Sequence, residues 1–114
     1  MKIKDIKTAL AIFEEASIKH AEATECGDYK VGNKAYKNIT SAINYLKNEN
    51  ELTGLKSYLT SPYIGVRLWS ASFWLTVNEP EGIMVLEDII KTPGIHSFTA
   101  EMTLSEWMKG NLKM

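Results

Sequence analysis

Three polar residues that could act together lie where the first predicted helix ends and the second begins. His20 and Thr24 are four residues apart and so share one helix face, and Asn33 should lie close to both across a tight turn. A histidine, a hydroxyl and an amide placed together could form a small polar site of the kind that an enzyme uses. They could instead form a buried hydrogen-bond network that fixes the alignment of the two helices, and we favour this second interpretation.

No other pattern in the sequence favours catalysis, a metal or a cofactor. One cysteine and two histidines are too few for an internal disulfide or a structural zinc site. Glu22 lies two residues from His20 and faces away from it on a helix. Cys26 comes at the end of a helix, where the helix dipole disfavours a thiolate. The sequence has no Gly-rich phosphate loop and no nucleophile elbow, so we expect neither an enzyme nor a cofactor.

Arg67 is the only arginine, and it lies in the most apolar predicted helix. It could bind an anion or a partner's carboxylate through two parallel hydrogen bonds. We favour a structural role, in which Arg67 pairs with an acid of the same chain such as Glu101 or donates to the carbonyl groups at a helix end.

Acidic and aromatic residues suggest how a partner protein would bind. Residues 49–90 carry six acids and two basic residues, a net charge of −4. An inhibitor of a nuclease could use such an acidic surface to mimic nucleic acid and to speed association, although an ordinary solvated surface looks the same. Trp69 and Phe73 share one helix face and are expected in the core, whereas Trp74 points elsewhere. The candidate partner-binding residues are Glu79, Glu81, Glu87, Asp88, Trp74 and Tyr63.

The element that should position these residues is the stretch from Asp28 to Lys47. Apolar and small residues alternate there at spacings of three and four, which predicts a continuous helical seam of Tyr29, Gly32, Tyr36, Ile39, Ile43 and Leu46. Gly27 is a good end for the preceding helix and Asp28 a good N-cap, so the two helices should form an antiparallel hairpin.

Charge and small residues favour the same pairing. The first helix, about residues 5–26, places Ala9, Ala16 and Ala23 seven residues apart, where they would let another helix approach closely. Residues 5–28 carry a net charge of −4 and residues 29–48 a net charge of +4. Exposed pairs between them would contribute only about 0–1 kcal/mol each. The four lysines are Lys30, Lys34, Lys37 and Lys47, and a solvated face is a simpler interpretation of them than a phosphate-binding stripe.

Turn signals divide the remaining chain into shorter helices. A helix with Leu52, Leu55 and Leu59 should end at Thr60, with Ser61 as N-cap and Pro62 as first residue of an apolar helix that reaches about Val77. The next helix should span about residues 80–91 after the stop at Asn78. Ser97 or Thr99 would cap the last helix, which ends at Gly110. No segment alternates in the manner of a strand, so the sequence predicts an all-α fold of five to six helices in antiparallel hairpins.

Composition bounds the class of protein. The chain has 114 residues, 45% hydrophobic and 24% charged, which suits a single globular domain over residues 1–114. A net charge of −1 disfavours a general nucleic-acid binder. No signal peptide and no apolar run of membrane-spanning length is present. We therefore expect a soluble cytoplasmic protein.

Two segments carry a resemblance to known families. Residues 59–71, Leu-Thr-Ser-Pro-Tyr-Ile-Gly-Val-Arg-Leu-Trp-Ser-Ala, resemble the turn and second helix of a HEAT-type repeat. Residues 20–30, His-Ala-Glu-Ala-Thr-Glu-Cys-Gly-Asp-Tyr-Lys, and residues 33–36, Asn-Lys-Ala-Tyr, resemble the bacterial domain of unknown function 2019 family. That resemblance continues in residues 66–69, Val-Arg-Leu-Trp, in residues 98–107, and in Lys109-Gly110.

The resemblance implies a small HEAT-like helical protein. Some related small HEAT-like proteins occur beside bacterial toxins and act as immunity proteins. We therefore expect a non-enzymatic protein-binding module that is monomeric or homodimeric. Its partner should be another protein, and the more specific hypothesis is an immunity protein that binds a toxin domain. The alternatives are a general interaction module of unknown role and, less favoured, a small enzyme that uses His20.

Overall fold

The computed structural model describes residues 3–112, and across this range every regular element is helical. Six helices follow one another, and the third is of the 3-10 type. They are α1 (Ile6–Cys26), α2 (Tyr29–Asn48), the 3-10 segment (Leu52–Thr60), α3 (Ile64–Trp74), α4 (Glu79–Ile90) and α5 (Ile95–Met108). The all-α prediction is confirmed, while the HEAT-like superhelix stays a prediction.

The α1–α2 hairpin forms as the sequence predicts. Gly27 ends α1 with a φ of 75°, a left-handed conformation that glycine adopts without a steric cost. The Asp28 side chain then accepts a hydrogen bond from the Val31 N–H and caps α2. Ala9, Ala16 and Ala23 are all buried, so α2 packs closely against this small-residue face of α1.

The predicted seam of α2 faces the core only in its second half. Ile39, Ile43 and Leu46 are buried, but Tyr29 is 72% exposed and Tyr36 is 49% exposed. The reason is that α3 packs against α1 and makes few contacts with α2, so no helix covers the first half of the seam. A hydrophobic spacing indicates a face, but it does not show how much of that face another element covers.

The expected attraction between α1 and α2 does not take the form of ion pairs. Among residues 3–112, no salt bridge joins the two helices. The one ion pair on α1 with a lysine is internal, with Lys19 Nζ 3.0 Å from Glu15 Oε1. Apolar packing, rather than paired charge, therefore holds the hairpin together.

The start of α3 differs from the prediction. The helix begins at Ile64, not at Pro62, and ends at Trp74, short of Val77. Ser61 does not cap it, because the Ser61 Oγ accepts a hydrogen bond from the Tyr63 N–H, 3.1 Å away, and closes a local turn before the helix.

The last two helices begin with different caps. Asn78 caps α4, since its side chain accepts a hydrogen bond from the Glu81 N–H. Ser97 and Thr99 do not cap α5, because that helix already begins at Ile95 after Gly94. The Ser97 hydroxyl instead donates back to the Gly94 carbonyl oxygen at 2.7 Å.

Helix α3 occupies the centre of the molecule. It packs against the 3-10 segment, α4, α1 and α5. It reaches α1 where three small residues meet, Ser17 and Ala21 of α1 and Gly65 of α3, all of them buried. One cluster of buried side chains draws on all six helices. Across the described residues, no helix is long and apolar enough to cross a membrane.

The closeness of this contact yields a stability prediction. A Cβ atom on Gly65 would stand 2.6 Å from both the Ala21 Cβ and the Ser17 carbonyl oxygen. We expect Gly65→Ala to lower the free energy of unfolding by about 2 kcal/mol, because α1 and α3 must move apart. Urea unfolding followed by circular dichroism measures this change.

Gly32→Ala is the matched control. The nearest atom to a Cβ at Gly32 is the Ala23 Cβ at 3.7 Å, an ordinary contact. Alanine should stabilise helix α2 there by about 0.5–1 kcal/mol. Equal effects of the two substitutions would contradict the assignment of Gly65 to the tight crossing.

Candidate functional site

The polar residues at the hairpin turn lie together but are not hydrogen-bonded to one another. His20, Thr24 and Asn33 line a cavity of about 270 Å³ with Asp28 and Tyr29. The Thr24 hydroxyl donates to the His20 backbone carbonyl at 2.9 Å. Within residues 3–112, no hydrogen bond links the three side chains to each other. The structure thus brings the three residues to one cavity without forming the expected network.

His20 makes an aromatic contact instead. Its ring meets Trp69 edge to face, with ring centroids 5.1 Å apart and an interplanar angle of 88°. Burial lowers the pKa of His20, and the nearby His96 lowers this pKa further. The ring is therefore neutral at physiological pH and packs as an aromatic side chain.

His96 forms a pair that the sequence did not reveal. Its Nε2 lies 2.8 Å from Oε2 of Glu25, and the histidine is only 6% exposed. This contact ties the beginning of α5 to the end of α1. The two residues are 71 positions apart, so no local spacing could have identified the pair.

Arg67 makes neither of the predicted internal contacts. No acid in the described part of the chain, Glu101 included, lies within ion-pair distance of it. Its Nε is buried and has no hydrogen-bond partner. In the described part of the chain, Arg67 therefore forms neither the predicted salt bridge to Glu101 nor the predicted hydrogen bonds to a helix end.

Trp74 is not a surface anchor. It is 3% exposed, and its indole Nε1 donates to Glu81 Oε1 at 3.1 Å. Lys56 Nζ lies 3.3 Å from the other oxygen of Glu81. The hydrogen bonds from Trp74 and Lys56 lower the pKa of Glu81. The prediction that Trp74 is a surface residue was wrong because α3 packs on α4 and turns Trp74 inward.

A second indole engages another of the candidate acids. Trp107 Nε1 of α5 donates to Glu79 Oε2 at 2.6 Å. Glu79 and Glu81 thus both accept hydrogen bonds within the α3–α4–α5 unit. Glu79 is nevertheless exposed, as are Glu87 and Asp88, whereas Glu81 is half-buried. Tyr63 is 53% exposed, and its predicted role in binding a partner stays a prediction.

An exposed apolar face lies on α5, where the sequence had not placed a site. Ile95 is 48% exposed, Phe98 72% and Met102 68%. Their spacing of three and four puts them on one face, which we call the α5 stripe. The opposite face carries the buried His96 and Ala100. The sequence does show that α5 is apolar on two opposite faces. Only the fold shows which of these faces no other helix covers.

A group of rings joins α1, α2 and α3, and we call His20, Tyr36, Trp69 and Phe73 the aromatic cluster. Trp69 stacks on Phe73 with ring centroids 6.2 Å apart, and the ring centroids of Trp69 and Tyr36 are 5.9 Å apart. Lys47 Nζ stands 5.9 Å from the centroid of the Phe73 ring. Trp69 and Phe73 are partly buried, so they are core residues that still reach the surface.

A groove of about 470 Å³ lies between α1 and α2. Its floor is apolar and includes Ile12, Ala16 and Ala35, while Glu15 and Lys34 belong to its charged margin. In the described chain, no group of three or more potential metal ligands is found.

Comparison with known proteins yields a structural neighbour. No family model and no curated protein matches the chain, so membership of the domain of unknown function 2019 family stays a prediction. The solved structure of the protein RPA1889 from Rhodopseudomonas palustris CGA009 is similar, with a TM-score of 0.88 and 21% sequence identity. The likeness covers 99% of both chains. At this identity it shows the all-α fold alone.

The environment of His20 predicts a pH dependence of stability. Its pKa in the folded protein lies below the ordinary value of 6.5, so the unfolded chain binds more protons between these two pKa values. The free energy of unfolding should therefore rise with pH through that interval and fall as the pH drops through it. Urea unfolding of the wild type and His20→Gln at about pH 5.5 and about pH 7.5 measures the effect.

The glutamine variant should show the weaker pH dependence of the two. It keeps a polar side chain of similar size but removes the group that titrates. An equally steep dependence in His20→Gln would assign the effect to other groups instead.

Proposed function

We propose that this chain is a non-enzymatic protein-binding module whose α4–α5 hairpin binds a basic partner protein. The observation that carries the proposal is the α5 stripe, because Phe98 and Met102 are 72% and 68% exposed on a face that no other helix covers. Contiguous exposed apolar side chains are characteristic of interaction surfaces. Aromatic and methionine side chains are also enriched at the centres of interfaces.

The charge of the hairpin supports a basic partner. Residues 79–109 carry six acids and two lysines, a net charge of −4. Two of the acids, Glu79 and Glu81, accept internal hydrogen bonds. Glu79 is also exposed, as are Glu87, Asp88 and Glu101. Exposed acids beside an apolar stripe favour a partner with basic residues around an apolar contact, and they speed its association.

The more specific form of the proposal is an immunity protein that neutralises a bacterial toxin. The resemblance to the domain of unknown function 2019 family and to small HEAT-like immunity proteins supports it. A toxin that acts on nucleic acid needs a basic surface, and the acidic hairpin would be complementary to that surface.

The α5 stripe gives a direct test of partner binding. We expect wild-type protein to retain one stoichiometric basic partner from the lysate of its source bacterium, and Phe98→Glu/Met102→Glu to lose that partner. Both side chains are exposed, so the double variant should keep the melting temperature of the wild type within a few degrees. Pull-down with quantitative mass spectrometry, alongside thermal unfolding, measures both quantities.

Val77→Glu is the control for the apolar-to-acid change, because Val77 is 39% exposed and lies outside α5. It should retain the partner. Retention of the same partner by the double variant would exclude the α5 stripe. Recovery of the bait alone, together with a dimer in light scattering that the double variant abolishes, would favour self-association instead.

A protection assay tests the immunity form separately. Cells that express the captured partner should grow only when they also express the wild-type chain, and Phe98→Glu/Met102→Glu should give no protection. Growth of the partner-expressing cells without the chain would reject the toxin assignment while leaving the binding surface intact.

A further inference from the structure

The side of α2 that carries Tyr36 and Lys47 and the partly exposed side of α3 form a second surface with chemistry opposite to that of the α4–α5 hairpin. The aromatic cluster connects the two helices through Tyr36, Trp69 and Phe73. Lys47 lies eleven residues after Tyr36, three turns along the same face of α2, and its ammonium stands over Phe73. We propose that the aromatic cluster and Lys47 bind an acidic peptide segment of a partner protein.

The accessible rings supply the contact area for such a segment. Tyr36 is 49% exposed and Tyr29, seven residues earlier on the same side of α2, is 72% exposed. Tyrosine combines a flat apolar ring with a hydroxyl that donates to carboxylates and to peptide carbonyl groups. The rings of Trp69 and Phe73 are held by packing against the core, so binding costs little side-chain entropy.

The charge of this surface is not neutralised within the molecule. Helix α2 has four lysines and no acid. Within the described chain, none of these lysines has a carboxylate oxygen within 4.0 Å. Lys34 belongs to the other side of the hairpin, because it lines the groove between α1 and α2 together with Glu15 and Glu22. At the proposed surface a partner's carboxylates would therefore meet Lys47, which stands over Phe73 and has no internal ion pair in the described chain.

The cavity at the hairpin turn extends the surface by one pocket. His20 belongs both to the aromatic cluster and to this cavity of about 270 Å³, to which Thr24 and Asn33 also contribute. The cavity is large enough for one peptide side chain. Asn33 is exposed and offers an amide that donates and accepts hydrogen bonds.

The arrangement favours a peptide over single-stranded nucleic acid, which also stacks on aromatic rings. A nucleic-acid strand needs a cationic groove that follows several phosphates. Here Lys47 is the one lysine in contact with the cluster in the described structure, and Asp28 lies at the cavity end. An extended segment with a few carboxylates fits this pattern better than a continuous chain of phosphates does.

The test selects peptides from a random phage-displayed library on wild-type protein, after depletion on Tyr36→Ala/Lys47→Glu. We expect the enriched peptides to carry a net negative charge. A fluorescein-labelled synthetic copy of an enriched peptide should bind the wild type, and the dissociation constant should rise at least about tenfold in the double variant. Added salt should weaken the binding, because Lys47 is only partly buried and salt screens its attraction to carboxylates.

Lys91→Glu is the charge-matched control, since Lys91 is exposed and lies outside the surface. It should bind the labelled peptide as the wild type does. Melting temperatures of all variants show whether a loss of binding reflects unfolding. Phe98→Glu/Met102→Glu should also retain the peptide, so failure here is distinguishable from failure of the α5 stripe.

Three results would overturn the proposal. The library could yield no peptide whose binding depends on Tyr36 and Lys47, or the enriched peptides could be neutral or basic. In the third result, oligouridine would bind more tightly than any enriched peptide, and this binding would also depend on Tyr36 and Lys47. The surface would then be a nucleic-acid site.

Discussion

The crossing of α1 and α3 at Gly65 determines where every proposed surface lies. Ser17, Ala21 and Gly65 bring the two helix backbones so close that an added Cβ would meet atoms 2.6 Å away. Because α3 lies against α1, its Trp69 reaches His20, and the first half of α2 stays uncovered. The same position of α3 allows α4 and α5 to pack on its other sides. One contact between small residues thus sets both the buried core and the exposed faces.

Indole groups connect α4 to both of its neighbouring helices. Trp74 of α3 donates to Glu81, and Trp107 of α5 donates to Glu79. Glu79 stays exposed together with Glu87 and Asp88, so all three contribute to the exposed charge of the hairpin. His96 acts in a similar way at the beginning of α5, where its contact with Glu25 connects the last helix to the first. The contacts of Trp107 with Glu79 and of His96 with Glu25 therefore orient α5, and with it the α5 stripe.

The two proposed surfaces differ in charge and in shape. The α4–α5 hairpin combines an exposed apolar stripe with a net charge of −4 over residues 79–109. The region around α2 combines partly buried rings with lysines that have no internal ion pair in the described chain. A small protein with two such faces is suited to contact one partner through opposite charges or to bring two partners together. Lys47 lies apart from Glu15 and Glu22, which line the groove between α1 and α2 together with Lys34.

The sequence by itself determined the all-α class with five to six helices, the α1–α2 hairpin and the ends of its two helices. These features depend on neighbouring residues: Gly27 and Asp28 act within one turn, and Asn78 caps the helix that follows it. The sequence did not predict that residues 52–60 form a 3-10 helix. It also did not predict the late start of α3, because the Ser61 hydroxyl accepts a hydrogen bond within a local turn and does not cap the helix. Tertiary structure alone decided that Trp74 is buried, that His96 meets Glu25 and that Tyr36 and Phe98 are exposed. The physical reason is that a helical spacing defines a face, whereas the element that covers the face comes from a distant part of the chain.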